Sequence, residues 1–289
     1  MKIKILIPVF NDWQSLSKLM NNIDNEIQNI NHEISVIIVD DASTFDRQLE
    51  IENLSNINSV KILVMKENRG HARCIAAGLK YILEKEEFNY VIPMDGDGED
   101  RPEEIKEFIE SIKNNPELTI VGERVKRSEN FIFKFCYFFH KLITLVFTGH
   151  SIKFGNFTCL TKSTVEKLVN EKATWNSFSG ALTKVEKNKT SIQSIRGKRY
   201  FGPSKMSFSN LLKHSLSIIS VFRKTVLIRS ALFIIFYVYL IKSNASIIML
   251  TPFILLLIMI YFISSLCMRE NMDEFNNSLK NIEDIVNLK

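Results

Sequence analysis

Tyr90-Val-Ile-Pro-Met-Asp95-Gly96-Asp97-Gly98-Glu99-Asp100 is the stretch whose reading decides the fold. Its first five residues are apolar and predict a short buried strand. Pro102 then opens a helix with Glu103 and Glu104 behind it, where proline and acidic side chains suit a helix N-terminus. Ligand sites of open α/β sheets lie at the carboxyl ends of strands. Two carboxylates one residue apart at such an end, Asp95 and Asp97, offer oxygen ligands to a hard divalent cation, which would neutralise a diphosphate. Taken alone, an Asp-x-Asp is more often an acidic turn capping a helix, so the neighbouring segments decide.

Working outward, Lys2 to Val9 predicts a strand, and Leu16, Leu19, Met20, Ile23, Ile27 and Ile30 follow at helical spacing. Ile34 to Val39 and Val60 to Met65 predict two more strands, and Gly70 to Leu83 a helix. After the acidic stretch come a helix with Ile105, Phe108, Ile109 and Ile112 inward, and a strand over Leu118 to Gly122. Strands alternating with helices predict a mostly parallel α/β sheet with helices on both faces. The segments after the strands then converge on one edge: Pro8 to Asp12, Asp40 to Ser43, Glu67 to Gly70 and Asp95 to Asp100. That convergence is far more specific than any one motif.

The chain of 289 residues has a net charge of +5, unevenly distributed. No Asp or Glu occurs between Glu186 and Glu270, and the first part of that stretch holds ten basic residues, Lys187, Lys189, Arg196, Lys198, Arg199, Lys205, Lys213, Arg223, Lys224 and Arg229. An acid-free basic collar running into apolar sequence suits an anionic membrane leaflet and disfavours nucleic acid as the partner. Two apolar segments follow, about 226–243 and 246–267, joined at Lys242 to Ser246. The second exceeds the roughly 20 residues that span a bilayer. The first is marginal and calls for Arg229 to snorkel towards headgroups. Arg223, Lys224, Arg229 and Arg269 flank the pair against a lone Lys242 at its turn, which predicts a hairpin with both termini cytoplasmic. The competing reading is a hairpin buried in a soluble core. Cys74, Cys136, Cys159 and Cys267 show no paired or metal-like spacing and read as reduced thiols, and no signal peptide precedes the first strand.

The aromatic run from Phe131 to Phe147 reads as an interfacial or a packing helix, and Leu211 to Phe222 as a second amphipathic one. In the tail, Met272, Phe275, Leu279, Ile282 and Val286 lie three and four apart, which predicts a helix able to seal a homo-oligomer or pack on the first domain. The domain plan is therefore residues 1–205, an interfacial segment 206–225, two spans within 226–267 and a cytoplasmic helical tail 268–289.

These motifs, in this order, resemble a family 2 glycosyltransferase of GT-A fold, and within it the polyprenyl-phosphate glycosyltransferases. The residues carrying the resemblance are Ile7-Pro8-Val9-Phe10-Asn11-Asp12, Val39-Asp40-Asp41-Ala42-Ser43, Asn68-Arg69-Gly70, Asp95-Gly96-Asp97 with Asp100 and Glu103, Gly122-Glu123-Arg124, and Arg199-Tyr-Phe-Gly202-Pro-Ser204-Lys205. The resemblance implies a nucleotide-sugar pocket of Pro8, Phe10, Asp12, Val39, Asp41, Asp95, Gly96 and Asp97, with Asp41 accepting from the base or ribose. It implies Mg²⁺ or Mn²⁺ on Asp95 and Asp97, with Glu99 able to add a third carboxylate. Arg124, Arg199, Ser204 and Lys205 would handle donor and acceptor phosphates, Asp97, Arg124 and Lys205 being the catalytic set. The chain departs from the family pattern at Phe10 and Asp12, where Tyr and Glu are usual, and at Gly96, Gly98, Glu99 and Arg101 in the metal motif. The two glycines are expected to loosen that loop.

The implied activity is transfer of a sugar from a UDP- or GDP-linked donor to a polyprenyl phosphate, with inversion, at a membrane. The Asn-, Ile- and Lys-rich usage points to a bacterial plasma membrane and undecaprenyl phosphate. Two readings stay open beside it: a family 2 enzyme acting on a hydroxyl acceptor, with Asp100 as base, and a membrane-tethered scaffold without catalysis. A processive polysaccharide synthase is disfavoured, since neither Trp13 nor Trp175 lies in a Gln-x-x-Arg-Trp context.

Overall fold

The computed structural model describes the chain except residues 48, 50–53, 127–130, 204–207 and 243–245, and gives the backbone alone for 126, 131–138, 140 and 208. The strands are β1 (Lys2–Val9), β2 (Glu33–Asp40), β3 (Ser59–Met65), β4 (Tyr90–Pro93), β5 (Thr119–Lys126), β6 (Phe154–Thr161), β7 (Lys189–Ile195) and β8 (Ile282–Asn287). The helices are α1 (Trp13–Glu26), α2 (His71–Lys85), α3 (Ile105–Asn114), α4 (Phe131–Thr148), α5 (Lys162–Val169), α6 (Phe178–Val185), α7 (Phe208–Ser220), α8 (Arg223–Ile241), α9 (Thr251–Cys267) and α10 (Met272–Asn276). The described strands form one sheet in the order β7-β5-β6-β4-β1-β2-β3-β8. β1 runs parallel to β2 and β4, and β2 parallel to β3. β6 is antiparallel to both β4 and β5, and β5 is parallel to β7.

The near-continuous apolar runs of β1 and β2 follow from burial on both faces, as expected of parallel strands covered by helices. Side chains alternate across the sheet. Ile3, Ile5 and Ile7 therefore meet Leu16, Leu19 and Phe108 of α1 and α3 on one face. Leu6, Ile37 and Val39 meet Ile75, Leu79 and Leu182 of α2 and α6 on the other. The mostly parallel α/β sheet with helices on both faces is as expected from the sequence, and so is the pair of long apolar helices after it.

Those two helices are not a buried core hairpin. Only 11 % of each 18-residue apolar window is buried, and Ile235, Phe236, Tyr239, Leu255 and Tyr261 all face outward. Helices of this length and composition with their apolar side chains outward are built to associate with a membrane. Arg229 has partners within the protein. Its Nη1 donates to the carbonyls of Val146 (2.8 Å) and Leu145 (3.4 Å), so α8 caps the C-terminus of α4 with a cation. The aromatic run is thus tied to the base of the apolar pair, although the side chains of 131–138 and 140 lie outside the described residues.

The helical tail expected over 268–289 is corrected by the structure. Only Met272–Asn276 is α-helical, and Ile282–Asn287 forms β8, antiparallel to β3 with Ile62 opposite Val286 and Leu63 opposite Ile285. Ile-Glu-Asp-Ile-Val suits a half-covered strand, and the free edge of β3 offers it a ladder. The three-and-four spacing matched a helix by coincidence of period: Phe275 anchors α10 in the core and Val286 pairs across a sheet.

Candidate active site

The four segments expected to converge do so through specific hydrogen bonds. Asn11, at φ 52°, turns the chain after β1, and its N–H donates to Ser43 Oγ (2.9 Å). Asn11 Oδ1 accepts from the N–H groups of Thr44 (2.9 Å) and Phe45 (3.1 Å), stitching the β1 edge to the β2 edge. Asp41 carries the next stitch. Its two carboxylate oxygens accept the N–H groups of Arg69 (2.8 Å) and Gly70 (2.9 Å), which fixes the turn between β3 and α2. Asp41 is buried, and burial pushes its carboxyl up against the opposing pull of these bonds.

The loop after β4 closes on itself, since Asp95 N–H donates to Asp100 Oδ2 (2.9 Å). Asp95 Oδ1 lies 3.2 Å from His71 Nε2 and accepts from Asn156 Nδ2 (3.1 Å). Burial would raise the Asp95 carboxyl, but His71 and these bonds hold it well below the usual carboxylate range. Asp97 is pushed up to about 6 by burial and by the Asp95 charge, against the Glu99 N–H bond and Arg199. Asp100 is raised for the same two reasons, with Arg124 Nη2 at 3.8 Å opposing. Carboxylates crowded onto one half-buried loop resist joint ionisation except as far as cations offset them.

A basic segment after β7 roofs this loop. Gly197 N–H donates to Glu99 O (2.8 Å) and Tyr200 N–H to Asp97 O (3.0 Å). Arg199 forks between Asp97 Oδ2 (2.5 Å) and Asp12 Oδ2 (2.6 Å), and Arg196 pairs with Glu99. The Tyr200 hydroxyl accepts from Asn22 Nδ2 (2.8 Å), holding the ring over the loop. Gly98 has φ 89°, and a Cβ there would stand 2.6 Å from the Tyr200 ring. A Cβ on Gly96 would meet Pro8 O at 3.3 Å. The glycines therefore do not loosen the loop; they admit the roof and the β1 edge at close range. Gly98→Ala is expected to destabilise the protein by ~1–3 kcal/mol through strain and clash. A denaturant midpoint unchanged from wild type would show the roof is not packed in this way.

The structure brings Asp12, Asp95, Asp97, Glu99, Asp100, Arg124 and Arg199 together. Phe10 is exposed at the β1 edge. Pro8 and Val39 are buried, Val39 with its side chain in the core beneath the edge, so neither presents a side chain to a ligand. Asp41 spends both oxygens on the backbone, and Glu99 faces Arg196. Ser204 and Lys205 lie outside the described residues. Three site-edge residues escaped the sequence reading. His71 follows Asn68-Arg69-Gly70 directly, and Arg196 stood in the basic collar, so both left a signal. Asn156 left none, because it arrives on β6, an antiparallel strand inserted beside β4.

Among the described residues, no three His, Cys, Asp or Glu side chains form a ready metal cage. The chemistry of Asp95 and Asp97 nevertheless fits Mg²⁺ or Mn²⁺: hard oxygen donors, half-buried, with the Asp97 carboxyl raised by desolvation and by the Asp95 charge beside it.

The family model described as "Glycosyl transferase family 2" matches residues 4–175. A dolichol-phosphate mannosyltransferase of Pyrococcus furiosus is 31% identical over 126 residues, 44% of this chain and 34% of that protein. An undecaprenyl-phosphate 4-deoxy-4-formamido-L-arabinose transferase of Proteus mirabilis is 25% identical over 222 residues, 73% of this chain and 64% of that one. The chain thus spans from about a third to two thirds of the length of these relatives. Among solved structures, glucosyl-3-phosphoglycerate synthase of Mycobacterium tuberculosis, determined with Mn²⁺, UDP-glucose and phosphoglyceric acid, superposes with a TM-score of 0.55 at 10% identity over 78% of this chain and 79% of that one. Residues 1–349 of S. aureus TarS with UDP-GlcNAc superpose at 0.51 with 14% identity, over 98% and 89%. At these identities the superpositions establish the shared fold.

Proposed function

The chain belongs to glycosyl transferase family 2, and from that premise we propose that it is a membrane-bound enzyme moving a sugar from a UDP- or GDP-linked donor to a polyprenyl phosphate. The observation that carries the lipid acceptor is the outward-facing apolar pair α8 and α9, tied at both ends to the domain that holds the acidic loop. Both ends return to one domain, which supports a hairpin with that domain and both termini on one side, the cytoplasmic side by its flanking arginines. The names of the Pyrococcus and Proteus relatives, both lipid-phosphate transferases, point the same way.

In the reaction, a lipid phosphate oxygen attacks the anomeric carbon, the bond from that carbon to the diphosphate oxygen breaks, and the nucleoside diphosphate leaves. Attack from the opposite face inverts the centre. A phosphate monoester has a second pKa near 6 and is already largely dianionic, so no strong base is needed. Two anionic substrates must instead be held together in line. Asp95 and Asp97 would hold Mg²⁺ or Mn²⁺, which supplies Lewis-acid neutralisation of the diphosphate. Arg199 and Arg124, which now face Asp97 and Asp100, would offer guanidinium forks to the phosphates of donor and acceptor. A hydroxyl acceptor would call on Asp100 as base, and that carboxyl is buried, bonded to the Asp95 N–H and faced by Arg124.

The test is a transfer assay with the full chain in detergent, Mn²⁺ or Mg²⁺, a panel of nucleotide sugars and undecaprenyl phosphate. A butanol-extractable, metal-dependent glycolipid is expected. Donor turnover onto a hydroxyl acceptor alone would replace the lipid reading, and no donor binding across the panel would favour a scaffold.

A further inference from the structure

The segment after the apolar pair reaches the edge of the candidate active site. Glu274, on α10, is the junction. Its Oε1 accepts from Arg69 Nη1 (2.9 Å), and its Oε2 accepts from the Trp175 indole N–H (2.7 Å) and lies 3.4 Å from Arg73 Nη2. Arg73 in turn lies over the Trp175 ring, 5.3 Å from its centroid, and the Phe275 ring stacks on Trp175 with centroids 5.4 Å apart. One carboxylate therefore gathers two arginines and an indole from two separate elements. Such a bidentate, partly desolvated arrangement is far more specific than a surface ion pair.

Arg69 is the middle residue of Asn68-Arg69-Gly70, a motif to which the proposed chemistry gives no task. Its N–H and that of Gly70 are gripped by Asp41. The next residue is His71, whose ring meets Asp95 and Asn156 Nδ2, the latter at 2.8 Å. The turn is thus held from below by Asp41 and from outside by Glu274, and its downstream end touches the first carboxylate of the acidic loop. The geometry points to Glu274 as a positioning residue of the donor site: through Arg69 and Arg73 it fixes the 68–71 turn that sets His71 against Asp95. This rests on the proposed function in so far as a nucleotide sugar is the ligand. It also gives the tail a task the sequence does not suggest, for the segment leaving the membrane would lock the site that the segment entering it follows.

Three measurements on the full chain in detergent test this. Hydrogen exchange comes first, since it needs no substrate. Glu274→Ala is expected to speed exchange in residues 66–75 while leaving residues 33–40 unchanged. Donor kinetics come second. Glu274→Ala is expected to raise the donor KM about tenfold with a smaller change in kcat, and Glu274→Gln, which keeps an acceptor for the indole, to recover most of that loss. Lys172→Ala, which removes the ion pair to Glu270 elsewhere on the tail (3.8 Å), should leave the donor KM unchanged and serves as the control for loosening of the tail in general. Third, Arg69→Ala should cost much less in the Glu274→Ala background than alone, because the two act as a unit. Unchanged exchange at 66–75, an unchanged donor KM, or additive effects of the two substitutions would each overturn the inference. Should Glu274→Ala fail to fold, Arg69→Ala alone carries the test: it is expected to speed exchange at 66–75 and to raise the donor KM, and no change in either would overturn the inference. A wild-type chain that binds no nucleotide sugar would count against the proposed function, and the exchange measurement would still judge the contact itself.

Discussion

Asp97→Ala is expected to lower transfer by about a thousandfold or more, the scale on which one preorganised charge contact to a reacting group contributes. The carboxylate has two duties in the structure. It meets Arg199 at 2.5 Å, and it accepts the Glu99 N–H at 2.9 Å within its own loop. The second duty is local, so the variant should fold: Asp95 and Asp100 still close the loop, and the main-chain bonds of the roof do not involve the Asp97 side chain. The first duty is where the effect arises. Without Asp97, one of the two carboxylates proposed to hold the metal is gone and Arg199 keeps only Asp12. Metal dependence of donor binding should weaken together with turnover. A circular dichroism spectrum and thermal midpoint near wild type, with transfer lost, is the expected result. Transfer within tenfold of wild type at saturating Mn²⁺ would mean that Asp97 takes no part in holding the donor.

Much of this site was legible in the sequence because parallel strands write their own punctuation. Each apolar run of β1, β2, β3 and β4 stops abruptly at a polar cluster, and a parallel sheet sends all such stops to one edge. The acidic loop, Asp12 and the segments Asp40 to Ser43 and Glu67 to Gly70 can therefore be placed in one neighbourhood from the strand pattern, whereas Arg124 and Arg199 enter only through the family resemblance. What could not be read was which polar group faces a ligand and which faces the protein. Asp41 looks like a ligand contact by position, and the geometry gives it the further duty of clamping the backbone of the 68–70 turn, which depends on the path of that turn. Gly98 looked like slack, because its neighbour Tyr200 is about a hundred residues away and only the fold brings the ring onto it. Asn156 was invisible for a similar reason: β6 joins the sheet antiparallel, breaking the rule that made the other edges readable. The tail failed differently, since short segments satisfy helical and strand periods alike until an open strand edge selects one.

Removing residues 268–289 is expected to abolish folding of the whole sheet domain, and not merely an association between chains. The tail supplies the last strand of the sheet, and its loss would strip β3 of a neighbour along Lys61 to Met65. Bonds outside the ladder go as well, including Val60 N–H to Lys289 O (3.1 Å) and Lys66 N–H to Asn281 O (2.8 Å). An uncovered edge next to Ile62 and Leu63 is a template for aggregation. Phe275 is fully buried among residues of α2 and the segment around Trp175, so its removal leaves a cavity as well as an edge. Phe275→Ala alone should cost ~3–5 kcal/mol, the usual range for a buried phenylalanine. With native stabilities of about 5–15 kcal/mol, that single change approaches the margin, and the full truncation adds the strand to it. The order of effects is therefore specific: Lys172→Ala mild, Phe275→Ala a large drop in thermal midpoint, and truncation aggregated or degraded. A truncated chain that purifies folded, with a cooperative transition near that of wild type, would show that β8 covers an edge the sheet can leave bare. It would also remove the physical ground for a site whose outer turn is held from beyond the apolar pair.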